Sequence, residues 1–456
     1  MINGSFRKYL EEAIGSDKAL VAFSAFESPA PSSVRLNPFK RGVCPDGRAV
    51  TWNPYGRVLQ ERPVFTLDPH FHAGAYYVQD SSSMFVGYAF RRLLEGVGKP
   101  SGRPFRVLDL CAAPGGKTTD LAASLREAFG DDFILVSNEV MKARAGVLAD
   151  NVALWGDPNV VVTSDDPRAF AALAGYFDVI VADVPCSGEG MFRKDEEAQR
   201  QWSEDNVALC EARQRRIVAD VWPALKQGGL FVYSTCTFNK YENDGNVRWI
   251  ASELGAECLL SDDLLQAKEG VIKTSLGYSL VPGHVEGEGQ YCSALRKTSD
   301  VEFREVRQKP SRPSKAQAVP EGIATGLMTV KTVSRLRGET LVAIPENISV
   351  ELPALEQALH MITAGCAVGT LKGKVLVPDA DLALSIAFDR TAFPEANVDR
   401  DTALAYLHRD AITLPDAPKG YVTIVYEGLP LGFVKNLGNR CNSLHPQSRR
   451  IRMNIK

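Results

Sequence analysis

The 456-residue chain is 45% hydrophobic and 23% charged, the composition of an ordinary folded protein with room for about three domains. Its formal net charge of −3 argues against a surface coated in positive charge, although a local basic patch could still bind nucleic acid. No apolar run approaches the ~20 residues of a membrane span, and the nine cysteines lack the paired spacings of a zinc site. We therefore expect a cytoplasmic protein with no membrane partner and no metal.

The first predicted element, Met1 to Leu20, mixes charged and apolar residues at helical spacing. This pattern predicts an amphipathic helix and not a signal peptide. Residues 1–80 are expected to form an N-terminal accessory region.

The middle of the chain alternates strand and helix signals. Short apolar runs predict strands at Phe105–Leu110, Phe133–Ser137, Val160–Thr163, Val179–Ala182 and Leu230–Tyr233. Helical patterns lie between them, as at Lys142–Leu154 and Asn206–Leu225. This alternation predicts a doubly wound α/β domain at residues 81–300, with a parallel sheet covered by helices on both faces. Such sheets bind ligands at the carboxyl ends of their strands.

The first of these strands leads into a glycine turn that is a candidate cofactor-binding loop. Its candidate residues are Cys111, Ala112, Ala113, Pro114, Gly115, Gly116 and Lys117. A strand, a tight turn and a helix N-terminus together bring the backbone close to a ligand. The dinucleotide pattern GxGxxG and the P-loop spacing are both absent, so neither of those phosphate sites is predicted.

Acidic residues follow the next two strands. Glu139 is placed to accept hydrogen bonds from ribose hydroxyls, and Asp165-Asp166 is placed to meet an adenine edge. A single acid at a strand end is more often a helix cap than a ligand. Because these acids follow successive strands, the order favours a cofactor that contains a nucleoside.

Two cysteine motifs follow the fourth and fifth strands. One is Asp183-Val184-Pro185-Cys186, and the other is Ser234-Thr235-Cys236-Thr237. Since adjacent parallel strands end at the same edge of a sheet, both thiols should lie beside the cofactor. Two buried apolar cysteines, or a redox or metal pair, are the alternatives. The polar neighbours Asp183 and Ser234 weaken the first, and the lack of a nearby histidine weakens the metal site.

The C-terminal part differs in composition. Residues 301–320 are rich in proline and charge, which predicts an extended linker. Strand signals at Tyr421–Tyr426 and Leu431–Lys435 predict a small β-barrel. From Gly428 to Lys456 there are basic residues but no Asp or Glu, which fits either a solvated tail or a surface that contacts phosphates.

These motifs resemble those of the Sun-type RNA cytosine-5 methyltransferases, especially the bacterial branch that modifies 16S ribosomal RNA. The matching blocks are Asp109–Thr118, Asp183–Gly190, Ser234–Thr237, Glu242-Asn243, Val34–Pro38, Tyr76–Asp80 and Gly287–Gly289. Downstream, Gly432–Lys435 and Gly438–Arg440 more faintly resemble a PUA-like RNA-binding domain. The resemblance therefore implies a Rossmann-like methyltransferase domain between an N-terminal region (1–80) and C-terminal α+β or β domains (321–402 and 403–456) that bind RNA.

The resemblance also implies the chemistry. Cys236 would add to carbon 6 of a flipped cytosine, which makes carbon 5 nucleophilic enough to accept a methyl group. Cys186 would help to release the methylated product, Asp183 would contact the base, and Lys117 would approach it. The implied ligands of the cofactor S-adenosylmethionine are Cys111 to Lys117, Glu139, Asp166 and Asp183, with Asp165 as the alternative to Asp166.

The sequence departs from the family pattern at a few positions. Val184 replaces an alanine, Asp244 replaces a glutamate, and Gln290-Tyr291 replaces a pair of aromatic residues. None of these changes removes a catalytic group. A monomer that acts on ribosomal RNA, free or within the small ribosomal subunit, is expected. The alternatives are a transfer RNA cytosine-5 methyltransferase, a DNA cytosine-5 methyltransferase that uses Cys186, and a non-catalytic ribosome-assembly factor.

Overall fold

The N-terminal region begins with two short helices. The computed structural model of the protein describes residues 4–40, 42, 45–259, 268–301, 324, 326–373 and 375–455. The helical pattern predicted from Met1 to Leu20 forms two helices, α1 (Gly4–Ile14) and α2 (Ser16–Phe26), where a single helix was expected. Gly15 lies between them at φ 87°, a left-handed conformation that interrupts a helix.

A small antiparallel sheet follows the two helices. It contains β1 (Ser32–Leu36), β2 (Gly47–Val50), β3 (Asn53–Leu59) and β4 (Tyr76–Val78), in the order β2-β3-β1-β4. A short helix, α3 (Pro69–His72), precedes β4. Asp68 caps this helix by accepting a hydrogen bond from the backbone N–H of His70 at 3.0 Å.

The central domain has the predicted alternation of strands and helices. Its strands are β5 (Phe105–Asp109), β6 (Phe133–Asn138), β7 (Val160–Thr163), β8 (Phe177–Asp183), β9 (Leu225–Thr235), β10 (Ala256–Cys258), β11 (Ile272–Lys273), β12 (Tyr278–Leu280) and β13 (Gln290–Lys297). Its helices are α4 (Met84–Leu94), α5 (Gly116–Phe129), α6 (Lys142–Trp155), α7 (Glu196–Gln201), α8 (Glu204–Val221) and α9 (Asn246–Glu253).

The central sheet has the order of a doubly wound methyltransferase domain. Strands β7-β6-β5-β8-β9 are parallel neighbours, and β13 lies antiparallel beside β9. The five predicted strands are confirmed, although β8 and β9 begin earlier than predicted. The chain order reverses between β5 and β8, so a crevice for ligands is expected there, at the carboxyl ends of the strands.

Two apolar layers cover this sheet. In β5, Val107 packs into one layer and its neighbour Leu108 into the other, and both are fully buried. Successive side chains of a strand point to opposite faces, so a strand with helices on both faces must be apolar throughout. This explains why the sequence signal was a continuous apolar run.

Helix α8 is shorter than predicted at its C-terminal end. Ser203 caps its N-terminus, because its hydroxyl accepts a hydrogen bond from the backbone N–H of Asn206 at 3.1 Å. The predicted helix continued to Leu225, but α8 ends at Val221, and Leu225 already belongs to β9. Pro223 lies between them and has no N–H to continue the helical hydrogen bonding.

The C-terminal part forms two further small sheets. Its first strands are β14 (Thr332–Arg337), β15 (Thr340–Pro345), β16 (Met361–Ala364), β17 (Cys366–Lys372) and β18 (Val375–Pro378), with helices α10 (Glu346–Ser349), α11 (Leu352–Ala358) and α12 (Ala380–Leu384). Strand β16 leaves this group and pairs with β7 at the edge of the central sheet. Of the predicted linker, residues 302–320 lie outside the described residues.

The last region contains the strands predicted near the C-terminus. Its elements are β19 (Glu395–Asn397), α13 (Arg400–His408), β20 (Gly420–Tyr426), β21 (Leu429–Asn436) and β22 (Cys441–Ser443). Its strands form an open sheet in the order β19-β20-β21-β22, so the predicted β-barrel is not closed in the described part of the chain. Strand β19 is parallel to β20 and continues into α13, which packs on the sheet.

The N-terminal and C-terminal regions share one apolar core, here called the terminal seam. From the N-terminal region it contains Val34, Leu59, Phe65 and Tyr76, and from the C-terminal region Leu404, Tyr406, Leu407, Val422, Ile424 and Leu431. The two ends of the chain are therefore held together by packing. Among the described residues, no helix is both long enough and apolar enough to cross a membrane.

Candidate active site

The glycine turn after β5 is held by hydrogen bonds from α6. Arg144 donates to the carbonyl oxygen of Ala113 at 2.8 Å, and Asn151 donates to that of Pro114 at 2.7 Å. Gly115 has φ 115°, a conformation that disfavours residues with a side chain, and α5 begins at the next residue. The turn is therefore fixed with its backbone facing the crevice end of the sheet.

Two buried carboxyl groups flank this turn. Asp109 accepts a hydrogen bond from the Thr118 hydroxyl at 2.7 Å, and burial raises the pKa of Asp109 to about 7. Glu139 is 3% exposed, accepts from the backbone N–H of Met141 at 2.9 Å and lies 3.4 Å from Arg144. Glu139 is therefore oriented by the same arginine that holds the turn.

The two adjacent acids after β7 have other partners. Asp165 accepts a hydrogen bond from the backbone N–H of His360 at 2.8 Å, at the start of the β16 segment. Asp166 caps the helical turn that follows it, accepting from the backbone N–H of Arg168 at 3.2 Å. The capping role that the sequence left open is thus present at Asp166, and its Oδ2 lies 3.7 Å from the guanidinium group of Arg216 on α8.

The two cysteines meet at the carboxyl edge of β8 and β9. Asp183 pairs in register with Ser234 on the adjacent strand, so the loops that follow leave the sheet side by side. The sulfur atoms of Cys186 and Cys236 lie 3.0 Å apart, and both residues are free thiols. The hydrogen bond with Cys236, reinforced by burial, raises the pKa of Cys186 well above its ordinary value. The protonated form of the Cys186 thiol is therefore favoured by its surroundings.

A lysine and a carboxylate lie beside this thiol pair. Lys117 Nζ is 2.9 Å from Asp183 Oδ2. Burial alone would raise the pKa of Asp183, but Lys117 and hydrogen bonds from Ser234 and Gln290 lower it on balance. Burial likewise opposes the charge on Lys117, but Asp183 and the nearby Cys236 sulfur raise its pKa on balance. The carboxyl edge of β8 and β9 thus carries the negative Asp183 carboxylate beside the positive Lys117 ammonium group.

A network of buried polar side chains supports the two cysteine loops. Glu189 accepts hydrogen bonds from Trp202 Nε1 at 2.9 Å and from the backbone N–H groups of Phe238 and Asn239 at 2.6 and 3.1 Å. It therefore ties the loop after Cys186 to the loop after Cys236. Phe238 and Trp202 also pack with α1 and α2, so the N-terminal helices rest on these loops.

Glu242 makes a second connection between the two cysteine loops. It accepts from the backbone N–H of Ser187 at 3.1 Å, from Gln214 at 2.6 Å and from Asn239 at 2.8 Å. Burial, with the nearby charge of Glu189, raises the pKa of Glu242 to about 7 despite these three donors. Glu242 itself lies in a π-helical turn, Tyr241–Gly245, of a kind that recurs at functional sites.

The N-terminal sheet reaches the cofactor turn through one arginine. Arg35 on β1 is completely buried and donates to Gln79 at 2.8 Å, to the Gly116 carbonyl at 3.1 Å and to the Thr119 hydroxyl at 2.5 Å. These contacts join β1, the segment after β4 and the start of α5. The family-like blocks around Arg35 and Gln79 thus brace the cofactor turn.

Two of the departures from the family pattern contact each other. The Tyr291 hydroxyl donates to Asp244 at 2.7 Å, and Asp244 also accepts from the Thr274 hydroxyl at 2.7 Å. A phenylalanine at 291 could not donate this hydrogen bond to Asp244, whose side chain is shorter than that of the glutamate in the family pattern. The two replacements therefore fit together, and they lie behind the cysteine loops.

Comparison with known proteins identifies the family. Residues 99–296 match the family described as 16S rRNA methyltransferase RsmB/F, residues 2–81 match the N-terminal domain of 16S rRNA methyltransferase RsmF, and residues 393–451 match the methyltransferase RsmF PUA domain. A ribosomal RNA small subunit methyltransferase F of Serratia proteamaculans is 32% identical over 82% of this chain and 78% of its own length. The chain belongs to the RsmB/F family of methyltransferases.

Other relatives of this methyltransferase agree. A protein of the same name from an Enterobacter species is 27% identical over 97% of this chain and 94% of its own length. A solved methyltransferase homologue from Pyrococcus horikoshii is 25% identical and has a TM-score of 0.52 over 65% of this chain and 100% of that one. The expected family, methyltransferase fold and C-terminal PUA domain are confirmed, as is the enzyme class, an RNA methyltransferase that uses S-adenosylmethionine.

The cofactor turn of this methyltransferase fits an adenosyl sulfonium ligand. The buried Asp109 Oδ1 has no hydrogen-bond partner among the described residues, so acceptor capacity remains beside the turn. Glu139 also keeps acceptor capacity for hydroxyl groups, because its recorded partners are one backbone N–H and Arg144. Burial raises the pKa of Cys111, so this thiol is neutral beside the ligand. Asp109 and Glu139, which flank the turn, therefore offer acceptors that suit the polar groups of such a ligand.

Sequence reasoning missed several residues that shape the active site. Gln214 lies on α8 among the buried residues Cys210, Ile217 and Val218, so a polar residue at an apolar helical position was the available signal. Asn239 gave no comparable signal, and the signal at Gln290 was its departure from the aromatic pair of the family pattern. Their roles depend on which loops and strands meet in the folded chain, and a linear pattern does not report that.

Proposed function

We propose that this enzyme methylates carbon 5 of a cytosine in 16S ribosomal RNA. The observation that carries the proposal is the placement of the Cys186 and Cys236 sulfur atoms 3.0 Å apart, beside the Asp183–Lys117 pair, at the crevice edge of a methyltransferase sheet. The relatives are named for the small-subunit ribosomal RNA, which supports this substrate class.

In the proposed reaction Cys236 is the nucleophile. Its thiolate, next to the Lys117 ammonium, forms a bond to carbon 6 of the cytosine, and the ring electrons shift so that carbon 5 becomes nucleophilic. S-adenosylmethionine supplies an electrophilic methyl group when bound. Asp183 is ionised, since its pKa is lowered, and it therefore accepts a hydrogen bond from the exocyclic amine of the base.

The second half of the reaction restores the aromatic ring. A water molecule takes the proton on carbon 5, the electrons of that C–H bond form the double bond between carbons 5 and 6, and the pair of the broken carbon 6–sulfur bond returns to Cys236. Cys186 assists this release, because it lies within contact distance of Cys236 and holds a proton in the free enzyme. Glu189 and Glu242 hold the two loops, and with them the two sulfur atoms, in this relation.

The proposed cofactor ligands are the residues from Cys111 to Lys117, with Glu139, Asp166 and Asp183, and Asp165 as the alternative to Asp166. Glu139→Ala tests the ribose contact, because the hydroxyl groups would lose the carboxyl group that accepts their hydrogen bonds. Such a loss costs about 1.5–3 kcal/mol, or roughly tenfold to a hundredfold in affinity. Calorimetry should show this for Glu139→Ala and not for the surface control Glu253→Ala. Unchanged affinity in the folded variant would remove Glu139 from the site.

The regions at 1–80, 321–402 and 403–456 are proposed to bind RNA around the central domain at 81–300. The terminal seam supports joint action of the two ends, because it fixes them to each other. Truncation would expose that core, so neutralising Lys435 and Arg440 on the last sheet is a cleaner test. If both contact phosphates, the slope of log affinity against log salt should fall by about two. An unchanged slope would place RNA elsewhere.

The decisive experiment compares substrates. Purified enzyme with radiolabelled S-adenosylmethionine should methylate 16S ribosomal RNA or small subunits. Mapping of 5-methylcytosine in total RNA should show a modified position in 16S ribosomal RNA that is absent from cells without the gene. Labelling of transfer RNA alone, or of DNA of equal sequence, would replace the proposal by one of those alternatives. No labelling of any nucleic acid would favour an assembly factor.

We propose further that the enzyme is cytoplasmic and acts as a monomer. Its mass in solution tests whether it is a monomer.

A further inference from the structure

Gln290 lies at the carboxyl edge of β8 and β9, where Cys186, Cys236, Asp183 and Lys117 meet and which is here called the reacting edge. The family pattern has an aromatic residue at this position. In the sheet, Ser234 on β9 lies between Asp183 on β8 and Cys292 on β13. Gln290 is two residues before Cys292, so both side chains project from the same face of β13. The Gln290 side chain is buried, and its Nε2 donates to Asp183 Oδ1 at 2.9 Å.

The contact changes which part of the Asp183 carboxylate is available. An ionised carboxylate offers about four acceptor positions, two on each oxygen. The Ser234 hydroxyl at 2.7 Å and Gln290 Nε2 occupy those on Oδ1, and Lys117 Nζ occupies one on Oδ2. Within the described residues, the acceptor position left for a ligand is therefore on Oδ2, beside Lys117.

We propose that Gln290 is a positioning residue that fixes the Asp183 carboxylate and reserves Oδ2 for the target base. This rests on the proposed function, in which Asp183 accepts from the exocyclic amine of cytosine. A phenylalanine or an aliphatic side chain at 290 cannot donate this hydrogen bond. Oδ1 would then also have an open acceptor position, and the carboxylate could meet the base in two ways. The glutamine therefore selects one orientation of base and carboxylate.

The test removes the donor and keeps the shape. Gln290→Met has a side chain of similar length without an N–H group, and the adjacent Tyr291→Phe removes a buried hydrogen bond away from Asp183 as a control. The readouts are the single-turnover rate of methyl transfer to RNA, the affinity for S-adenosylmethionine and the melting temperature. We expect Gln290→Met to slow methyl transfer about tenfold or more with cofactor affinity within about twofold, because a hydrogen bond to a charged group is lost.

A second variant separates positioning from filling of space. Gln290→Glu keeps the shape but places a carboxylate against Asp183 at neutral pH. When protonated, that group can donate in place of the amide, so its rate relative to wild type should rise as the pH is lowered. A side chain that merely fills space would give no such recovery.

The outcomes distinguish this proposal from the function on which it rests. Methyl transfer by Gln290→Met at the wild-type rate, or a loss that appears only as weaker cofactor binding, would overturn the role of Gln290. So would a Gln290→Glu rate that shows no recovery at lower pH. A wild-type enzyme that methylates no RNA would refute the proposed function itself.

Discussion

The reacting edge and the terminal seam both join segments that are distant in sequence, but different forces hold them. At the reacting edge, buried polar groups bond to one another. Glu189 and Glu242 accept hydrogen bonds from backbone N–H groups of the cysteine loops, and Lys117 pairs with Asp183. The terminal seam is a cluster of apolar side chains, and at its border lies His70, whose pKa is raised by the hydrogen bond with Asp68. Directional hydrogen bonds fix atoms within tenths of an ångström, whereas apolar packing supplies free energy with less angular precision. The enzyme thus uses polar contacts where chemistry needs geometry and apolar ones where domains need only be fixed together.

The largest effect is expected from exchanging the two cysteines one at a time. Cys236→Ala should give neither methylation nor a covalent species, because no bond to carbon 6 can form. Cys186→Ala should methylate once and stay attached, giving a slow protein–RNA band on a denaturing gel that requires S-adenosylmethionine. Cys441→Ala, in the last sheet, serves as the control and should behave as wild type. A trapped band in Cys236→Ala and none in Cys186→Ala would make Cys186 the nucleophile, as in the DNA-type mechanism.

At the terminal seam, the corresponding change is Ile424→Ala. Ile424 is fully buried, so its truncation should cost ~2–5 kcal/mol in free energy of unfolding. Denaturant unfolding measures this, and the affinity for S-adenosylmethionine should stay unchanged under conditions where the variant is folded. The matched control is Leu209→Ala, whose side chain is 58% exposed and should cost less than ~0.5 kcal/mol. Equal costs for the two variants would show that the seam does not stabilise the fold.

A smaller effect is expected from Glu242→Gln at the reacting edge. All three partners of Glu242 donate, so an amide nitrogen there would face a donor and cost ~1–3 kcal/mol, with slower methyl transfer. Since folding raises the pKa of Glu242 to about 7, its contribution to stability is present below its ordinary pKa and is lost as the pH rises through about 7. The free energy of unfolding, measured from pH 4 to 8, should therefore depend less on pH in Glu242→Gln than in wild type. Glu211→Gln on the surface of α8 should keep it.

The smallest effect is expected where the terminal seam carries charge. His70 Nδ1 lies 3.0 Å from Asp68, and Nε2 lies 3.2 Å from Glu427 on the other side of the seam. The hydrogen bond with Asp68 outweighs burial and raises the pKa of His70, so its contribution is full below about 6.5 and is lost as the pH rises through the raised value. His70→Gln should remove about 1 kcal/mol or less, since Glu427 is half-exposed.

The measurement for this last variant is the pH dependence of unfolding. Wild type should lose stability relative to His70→Gln as the pH is raised from 6 to 8. The exposed His360→Gln variant is the control, and it should follow the wild-type curve. Parallel curves for wild type and His70→Gln would mean that the seam is held by packing alone.

The sequence by itself determined the central sheet and the positions of its candidate ligands. Apolar runs of strand length, separated by helical patterns, placed β5 to β9 correctly, because a strand buried on both faces has no polar positions to obscure it. The turn after β5, Glu139 and the two cysteine motifs follow these strands directly, so their common edge could be predicted from the strand order alone. The Gly15 break and the early end of α8 were missed, because one glycine and one proline act locally inside an otherwise continuous pattern.

Only the tertiary structure decided how these groups are held and which others join them. It brought Gln214, Asn239 and Gln290 to the reacting edge, placed Arg35 of the N-terminal sheet under the cofactor turn, and joined the two ends of the chain in the terminal seam. Each contact joins residues of different elements, and the donor or acceptor that a buried polar side chain finds depends on packing in three dimensions. A linear pattern carries the identity of such a residue, whereas its partner is set by the fold.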